Sequence, residues 1–376
     1  MSVEDPPDPR IAEFVARMGE LCPRTRIAPG KSLRWFLVIN PKAGGFTIGS
    51  RWKRHRAVLE DYVNKARVNP PRVDCGPAGL VLTRGPGDAE AATRLLLESV
   101  AAGEDFFLII TAGGDGTSLE VQSALYRAPA ELRDRFVILR LPMGTGNDGA
   151  DAPELGTALD LLVNPVDIVK ARALRLLTAT PGKGPFLAFN ILSVGLDAFV
   201  TQMTNRMKGR LPGDSYKLWV DIAALFYDRI YTVGPLELRA LDGEGRELPG
   251  GTFCRKLLLL AMGVSGRRTY GAGKKILPDE RNVCAVMQMP LIRKLALKDL
   301  FTYGTHVDKP EAILFSASRL EFSGLCPILA QMDGETVLLR PEDFPAAIEL
   351  TAPVIPVLQK PVFVTVRGNG GVDDKR

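Results

Sequence analysis

The sequence predicts a two-part fold: an α/β N-terminal domain built on a doubly wound parallel sheet, and a mainly antiparallel β-sandwich C-terminal domain. Three observations carry this expectation. From Trp35 to Val163, apolar runs that end in glycine loops alternate with helical patterns, as in a parallel sheet with crossover helices. Beyond Asp167 the helical alternation stops and short strand-like runs separated by turn residues take over. The length of 376 residues exceeds what one hydrophobic core usually holds.

In chain order, residues 1–30 form a polar, proline-bearing leader, with one short amphipathic helix at Ile11 to Leu21 that reads as a packing arm. The α/β domain spans 31–165. Its first strand, Trp35 to Ile39, enters Asn40-Pro41-Lys42-Ala43-Gly44-Gly45. A second, Leu80 to Leu82, enters Thr83-Arg84-Gly85-Pro86-Gly87 before the helical pattern of Asp88 to Val100. The third, Phe106 to Ile110, enters Thr111-Ala112-Gly113-Gly114-Asp115-Gly116-Thr117, and the fourth, Phe136 to Leu141, enters Pro142-Met143-Gly144-Thr145-Gly146-Asn147-Asp148-Gly149. In such sheets ligands sit beyond the carboxyl ends of the strands, where all four loops lie. The β-rich domain spans 166–353, with strands expected at Ala171 to Ala179, Phe186 to Val194, Leu236 to Leu241, Leu257 to Met262, Val283 to Met289, Ile313 to Phe322 and Val337 to Leu339, and a helical insertion at Tyr216 to Tyr227. The tail, residues 367–376, is expected to be mobile.

The third loop has the chemistry of a phosphate site. Gly113, Gly114 and Gly116 let the backbone approach an anion, and the free N–H groups and positive dipole end of the following helix favour negative charge. Asp115 beside phosphates is repulsive unless a cation such as Mg²⁺ or a donor hydroxyl stands between them. The plain alternative is an ordinary helix start, because Thr117 and Glu120 have capping-box spacing.

Composition excludes several classes. The longest apolar run, Leu257 to Val264, is far shorter than a spanning helix of ~20 residues. The acidic, proline-rich start does not resemble a secretory signal. Five scattered cysteines without a Cys-x-x-Cys pair fit a reducing cytoplasm rather than zinc. Two histidines, His55 and His306, are too few for a multi-histidine metal site and argue against a Ser-His-Asp hydrolase. His306 reads as structural before catalytic or lipid-facing.

These loops resemble the diacylglycerol kinase and sphingosine kinase family, including the bacterial lipid kinases. Gly113 to Thr117 alone also suits NAD kinases, whose nucleotide domain is of the same kind. The paired Pro142-x-Gly144-Thr145-Gly146-Asn147-Asp148 segment resembles the lipid kinases. Asn190-x-x-Ser193-Val194-Gly195-Leu196-Asp197-Ala198, Tyr303-Gly304-Thr305-His306 and Gln331-Met332-Asp333-Gly334-Glu335 follow in the family's order. The resemblance spans about residues 33 to 355. It implies an ATP- and Mg²⁺-dependent lipid kinase with an NAD kinase-like first domain, completed by residues 354–366. Diacylglycerol is the expected substrate and a sphingoid base the nearest alternative; a nucleotide-binding lipid sensor without turnover is the reading from another class.

The implied nucleotide pocket comprises Asn40, Lys42, Gly44, Gly45, Thr83, Gly113, Gly114, Asp115, Gly116, Thr117, Gly144, Thr145 and Asn147, with Glu120 as a weaker member. Lys42 offers a compact charge to phosphate, and Asp115 would organise metal-bound water. Asp148 is either metal-linked or a helix cap.

Two Asp-Gly-Glu triplets must be separated. Asp242-Gly243-Glu244 lies between apolar segments and reads as a hairpin turn. Asp333-Gly334-Glu335 matches the family's catalytic triplet, which implies Glu335 as the base that takes the hydroxyl proton, with Asp333 orienting it or the metal network. Asp-Gly is also a common turn pair, so a second plain hairpin is the competing reading. One departure concerns a second metal: where bacterial relatives carry Asp-Gly, this chain has Arg281-Asn282, so either Asp279 or Glu280 substitutes or that metal is absent.

The net charge of +5 and the basic groups at Arg51 to Arg56, Arg206 to Arg210, Arg267-Arg268, Lys274-Lys275 and Arg293-Lys294 suggest a cytoplasmic enzyme attached peripherally to an anionic membrane surface. Nucleic acid is not expected as a partner, since stacking platforms and readout motifs are missing. Homodimerisation is left open.

Overall fold

The computed structural model describes residues 8–27, 30–100, 103–144, 146–207, 226–270 and 273–361. Its first part is a six-stranded sheet of β1 (Leu33–Ile39), β2 (Cys75–Leu82), β3 (Phe106–Gly113), β4 (Phe136–Pro142), β5 (Asp167–Ala171) and a strand from the chain end, Ile355–Gln359. The order is β2-β1-β3-β4, then Ile355–Gln359, then β5. All pairs are parallel except the last. β3 is buried along its whole length, as expected of a central strand covered on both faces. Alternate side chains supply two cores. Leu37, Ile39, Leu108, Ile110 and Leu139 join helices Pro9–Leu21, Gly49–Ala66 and Leu155–Val163, while Phe36, Val38, Phe107, Ile109 and Ile138 join helices Asp88–Ser99 and Asp115–Arg127.

The leader helix braces this sheet. It starts at Pro9 with Asp8 accepting from the Arg10 N–H, and its apolar face is buried at Ile11, Phe14, Met18 and Leu21. Phe14 meets Phe46 edge-on at 5.3 Å, and the Arg10 guanidinium donates to the Phe46 carbonyl at 2.6 Å. It therefore packs directly behind the first glycine loop.

The second part is an 11-stranded antiparallel sheet. It contains β6 (Leu174–Leu177), β7 (Phe186–Ala188), β8 (Ile191–Gly195), β9 (Pro235–Leu241) and the long β10 (Glu247–Gly263). After the small hairpin β11 (Arg268–Tyr270) and β12 (Lys274–Leu277) come β13 (Val283–Met287), β14 (Ala312–Phe315), β15 (Arg319–Gly324), β16 (Ile328–Met332), β17 (Glu335–Leu339) and β18 (Ala346–Leu350). β10 pairs with β9 along its first half and with β8 and β13 along its second, which folds the sheet into two layers. Leu174, Leu238, Phe322 and Ile348 from one layer share a core with Val194, Met262, Val283 and Met332 from the other.

Several elements differ from the sequence reading. The run expected as one strand at Ala171 to Ala179 is divided, with β5 ending in the first sheet and β6 opening the second. The strand expected at Phe186 to Val194 breaks at Phe189-Asn190, because the N–H groups of Phe189, Asn190 and Ile191 turn to the Asp333 carboxylate. The strand expected at Ile313 to Phe322 is two, parted where the Ala317 N–H donates to Asn282 Oδ1 at 3.0 Å. Helix Leu291–Tyr303 is not among the elements expected from the sequence, although Pro290 before it and Gly304 after it, at φ 75°, are start and stop signals. Of the helix expected at Tyr216 to Tyr227, residues 216–225 lie outside the described residues; Tyr227–Ile230 is a short helical turn. Residues 362–366 and the tail also lie outside them.

Candidate active site

The four loops converge at the carboxyl edge of the first sheet. β3 ends at Gly113 and the next helix begins at Asp115, so the N–H groups of Asp115, Gly116 and Thr117 have no helical acceptor by position. A Cβ on Gly113 would stand 2.5 Å from Thr117 Oγ1, and one on Gly144 would stand 2.5 Å from the Gly114 Cα. Gly113 must be glycine because the first turn of the following helix lies over it, and Gly144 because the third and fourth loops pass within van der Waals contact of each other. A Cβ on Gly45 would likewise collide with the Met143 carbonyl at 2.9 Å, the group that accepts the Gly45 N–H.

Several predicted residues shape this edge rather than presenting free groups. Asn147, at φ 62°, accepts the Gly144 N–H at 2.7 Å and donates to the carbonyls of Pro142 and Gly144, so its amide is occupied within its own loop. Asn40 Oδ1 accepts the Lys42 N–H at 3.0 Å. The Lys42 ammonium reaches the Arg84 carbonyl at 3.3 Å and links the first loop to the second, where Thr83 is buried. Glu120 does not close a capping box with Thr117, since the helix starts two residues earlier. Its carboxylate accepts from the N–H groups of Gly87 at 2.7 Å and Ala89 at 3.0 Å, neutralising the start of helix Asp88–Ser99. Thr117 is nearly buried with no hydrogen bond on its hydroxyl among the described residues. Thr145 lies outside the described residues.

Asp115 faces Asp148 across Gly146: a Cβ there would lie 3.2 Å from Asp115 Oδ2 and 3.5 Å from Asp148 Oδ2. The Gly149 N–H donates to Asp115 Oδ1 at 2.8 Å. Burial raises the Asp115 pKa, the Gly149 N–H opposes this, and the Asp148 charge adds to the rise. Two carboxylates beside a phosphate cradle fit Mg²⁺, which keeps several waters and takes one or two protein carboxylates. No group of three or more metal-ligating side chains occurs among the described residues. Asp148 also accepts from the Gly273 N–H at 3.3 Å, which brings the separate β11–β12 hairpin of the second part over the loop of the first.

Sequence reasoning missed what holds this loop in place. Arg140, on β4, forms a buried ion pair with Asp151 at 2.7 Å, and Asp151 also accepts the Arg140 backbone N–H. The pair closes the loop between residues 142 and 151 at its base. The signal was present only as opposite charges eleven residues apart, which means little without the fold.

Across from the glycines stands the Asp333-Gly334-Glu335 turn between β16 and β17. Asp333 at φ 46° and Gly334 at φ 101° are the two left-handed residues of a two-residue hairpin, with Met332 paired to Glu335. The triplet is therefore a hairpin turn, and its last residue faces the glycine cradle. The Asp333 carboxylate accepts from the N–H groups of Phe189, Asn190 and Ile191. Burial pushes its pKa up to about 6 against these donors. Glu335 is exposed, its carboxylate has no hydrogen bond or ion pair among the described residues, and its Oε1 stands 3.6 Å from where a Gly116 Cβ would be. Partial desolvation and the Glu120 charge raise its pKa, in the direction that suits a proton acceptor.

Residues 34–178 match the family described as the diacylglycerol kinase catalytic domain. The "Probable lipid kinase YegS-like" of Pseudomonas fluorescens Pf-5 is 31% identical over 248 residues, 64% of this chain and 71% of that protein. The chain belongs to the lipid kinases of the diacylglycerol kinase family. A protein of the same name from Xanthomonas oryzae pv. oryzae is 28% identical over 310 residues, 80% of this chain and 89% of its own. A crystal structure of a diacylglycerol kinase from Bacillus anthracis str. Sterne superposes with a TM-score of 0.51 at 15% identity, covering 87% of this chain and 97% of that one. A second structure from the same organism gives a TM-score of 0.56 at 19% identity. These structural likenesses concern the fold.

The remaining predicted groups of the kinase fall elsewhere. Asp279 is engaged by the Arg281 guanidinium and accepts the Arg281 N–H at 2.9 Å, which holds its carboxyl below the usual range. A carboxylate so paired has its lone pairs directed at a cation already present, and Glu280 is paired to Arg267. His306 is fully buried, donates from Nε2 to the Ile276 carbonyl at 3.1 Å and packs against the Phe301 ring at 4.3 Å, a packing role. Asp242 accepts from the N–H groups of Glu244 and Arg246 in an exposed hairpin. Among the basic groups, Arg293 pairs with Glu311 and Lys294 with Asp228, whereas Lys53 and Arg54 are exposed. No described helix is long and apolar enough to cross a membrane.

Proposed function

We propose that this lipid kinase transfers the γ-phosphoryl group of ATP to the primary hydroxyl of diacylglycerol, giving phosphatidic acid. The observation that carries the reading is the free Glu335 carboxylate standing beside Gly116 at the mouth of the glycine cradle. Backbone N–H groups at the start of helix Asp115–Arg127 would hold the phosphates, with Lys42 adding charge. Mg²⁺, held by Asp115 through water with Asp148 beside it, would supply charge neutralisation at the phosphates. The lipid hydroxyl oxygen bonds to the γ-phosphorus, the bond to the β-phosphate oxygen breaks and releases ADP, and Glu335 takes the hydroxyl proton. The reading includes a cytoplasmic enzyme attached peripherally to an anionic leaflet, where each exposed cation such as Lys53 or Arg54 contributes about 1 kcal/mol.

The test is transfer of labelled γ-phosphate from Mg-ATP to diacylglycerol, sphingosine, ceramide and NAD in mixed micelles, with Glu335→Gln and Asp115→Ala as controls. Labelled phosphatidic acid that disappears in both variants is expected. Label in sphingosine alone would replace the substrate, and undiminished turnover in both variants would sink the site.

A further inference from the structure

A buried glutamine stands in the middle of β16, in the otherwise apolar run Ile328-Leu329-Ala330-Gln331-Met332. A polar amide in such a place is costly unless every group on it is bonded. Gln331 satisfies this fully. Nε2 donates to Ser193 Oγ at 3.0 Å and approaches Asp197 Oδ2 at 3.5 Å, and Oε1 accepts the Gly334 N–H at 3.1 Å. The Ser193 hydroxyl donates in turn to Asp197 Oδ2 at 2.6 Å. Asp197 is thus the terminal acceptor that fixes which way the amide points, since an acceptor pair at Ser193 and Asp197 forces the NH₂ toward them and leaves the oxygen for Gly334.

Gly334 is gripped from its other side as well. Asn205 Nδ2 donates to the Gly334 carbonyl at 2.8 Å. Asn205 and Asp197 lie on one helix, Leu196–Met207, so a single rigid element supplies both anchors. Both hydrogen-bonding groups of Gly334 are therefore held by side chains, immediately before the residue whose carboxylate is free.

We infer that Gln331 is a positioning residue, oriented by Ser193 and Asp197, which holds Gly334 and thereby sets where the Glu335 carboxylate stands relative to the glycine cradle. The inference rests on the reading of Glu335 as the proton acceptor. Misplacement of a reacting group by about 1 Å costs on the order of 100-fold in rate. A fold-only role for Gln331 would instead appear as lost stability with kcat retained.

The test measures kcat, KM for ATP and thermal unfolding for Gln331→Leu and Ser193→Ala, each alone and combined with Glu335→Gln. Gln331→Leu is expected to lower kcat by about 10- to 100-fold with KM for ATP unchanged, and to cost nothing more once Glu335 is already Gln. Ser193→Ala leaves both Gly334 hydrogen bonds in place and is expected to lower kcat by about 3- to 10-fold; it carries the test if Gln331→Leu does not fold. Normal kcat in the single variants while Glu335→Gln is inactive would overturn the positioning role alone. The same loss in both backgrounds would also overturn it. Full turnover in Glu335→Gln would overturn the proton-acceptor reading and the positioning role with it.

Discussion

The chain contains the same three residues twice, Asp242-Gly243-Glu244 and Asp333-Gly334-Glu335, each between two antiparallel strands, and they make opposite kinds of turn. In the first, Asp242 precedes the turn and accepts from the backbone of Glu244 and Arg246, so Gly243 and Glu244 form an exposed tip with Glu244 paired to Arg246 at 2.7 Å. In the second, Asp333 and Gly334 are the turn, and Glu335 is the first residue of β17, fixed by its ladder pairing to Met332. A shift of one position in the turn decides whether the glutamate is an exposed tip or a side chain held at the start of a strand. The surroundings complete the difference: Asp242 bonds only to its own hairpin, whereas Asp333 bonds to three amides more than 140 residues away.

The comparison predicts its largest effect at the two glutamates. Glu335→Gln should lower kcat by about 10²- to 10⁴-fold with KM for ATP retained, while Glu244→Gln leaves both unchanged. Equal effects in steady-state assays would break the distinction. The glycines come next. Gly334 has open space where a Cβ would go, so Gly334→Ala strains only the backbone at φ 101°, a cost of about 1–3 kcal/mol in the unfolding midpoint. Gly243 is not left-handed, and Gly243→Ala should leave the midpoint unmoved.

The aspartates separate by pH. Burial raises Asp333 to about 6 and Asp197 to about 7, while an unfolded Asp releases its proton near ~3.9. The folded chain then binds more protons than the unfolded chain between these values, so stability falls as pH rises from about 4 to about 7. Asp333→Asn should flatten that slope in denaturant titrations at several pH values; an unchanged slope would show that Asp333 is ionised throughout. Asp242 is shifted the other way by its own hairpin donors, first the N–H and guanidinium of Arg246 and then the Glu244 N–H. Asp242→Asn is the smallest change, with kcat within about twofold of the parent.

Legibility followed the range of the interactions involved. The strand-to-loop passages at Ile39, Gly113 and Pro142 were readable because burial on both faces writes continuous apolar runs and close approach to a neighbouring loop writes glycine, whereas Leu82 ends a largely exposed edge strand and was marked by the turn residues Gly85-Pro86-Gly87. Glu120 was misread as closing its own helix, since spacing along a chain says nothing of the helix beside it. The break at Phe189-Asn190 was invisible for a like reason: the acceptor that causes it, Asp333, lies in another strand. Gln331, Ser193 and Asp197 were visible as letters, but the amide's task appears only when β8 and β16 are adjacent.

By itself the sequence determined the α/β-then-β architecture, the position of the glycine cradle and the family, because each is written in local patterns of burial and turn chemistry. Tertiary structure decided which carboxylates are free. Asp333 and Glu120 are bonded by amides distant in the sequence, Asp279 is taken up by the neighbouring Arg281, and the Glu335 carboxylate is left open at the cleft. A carboxylate's availability depends on the donors around it in space, and those donors are gathered when strands and helices that are separate in the sequence pack side by side.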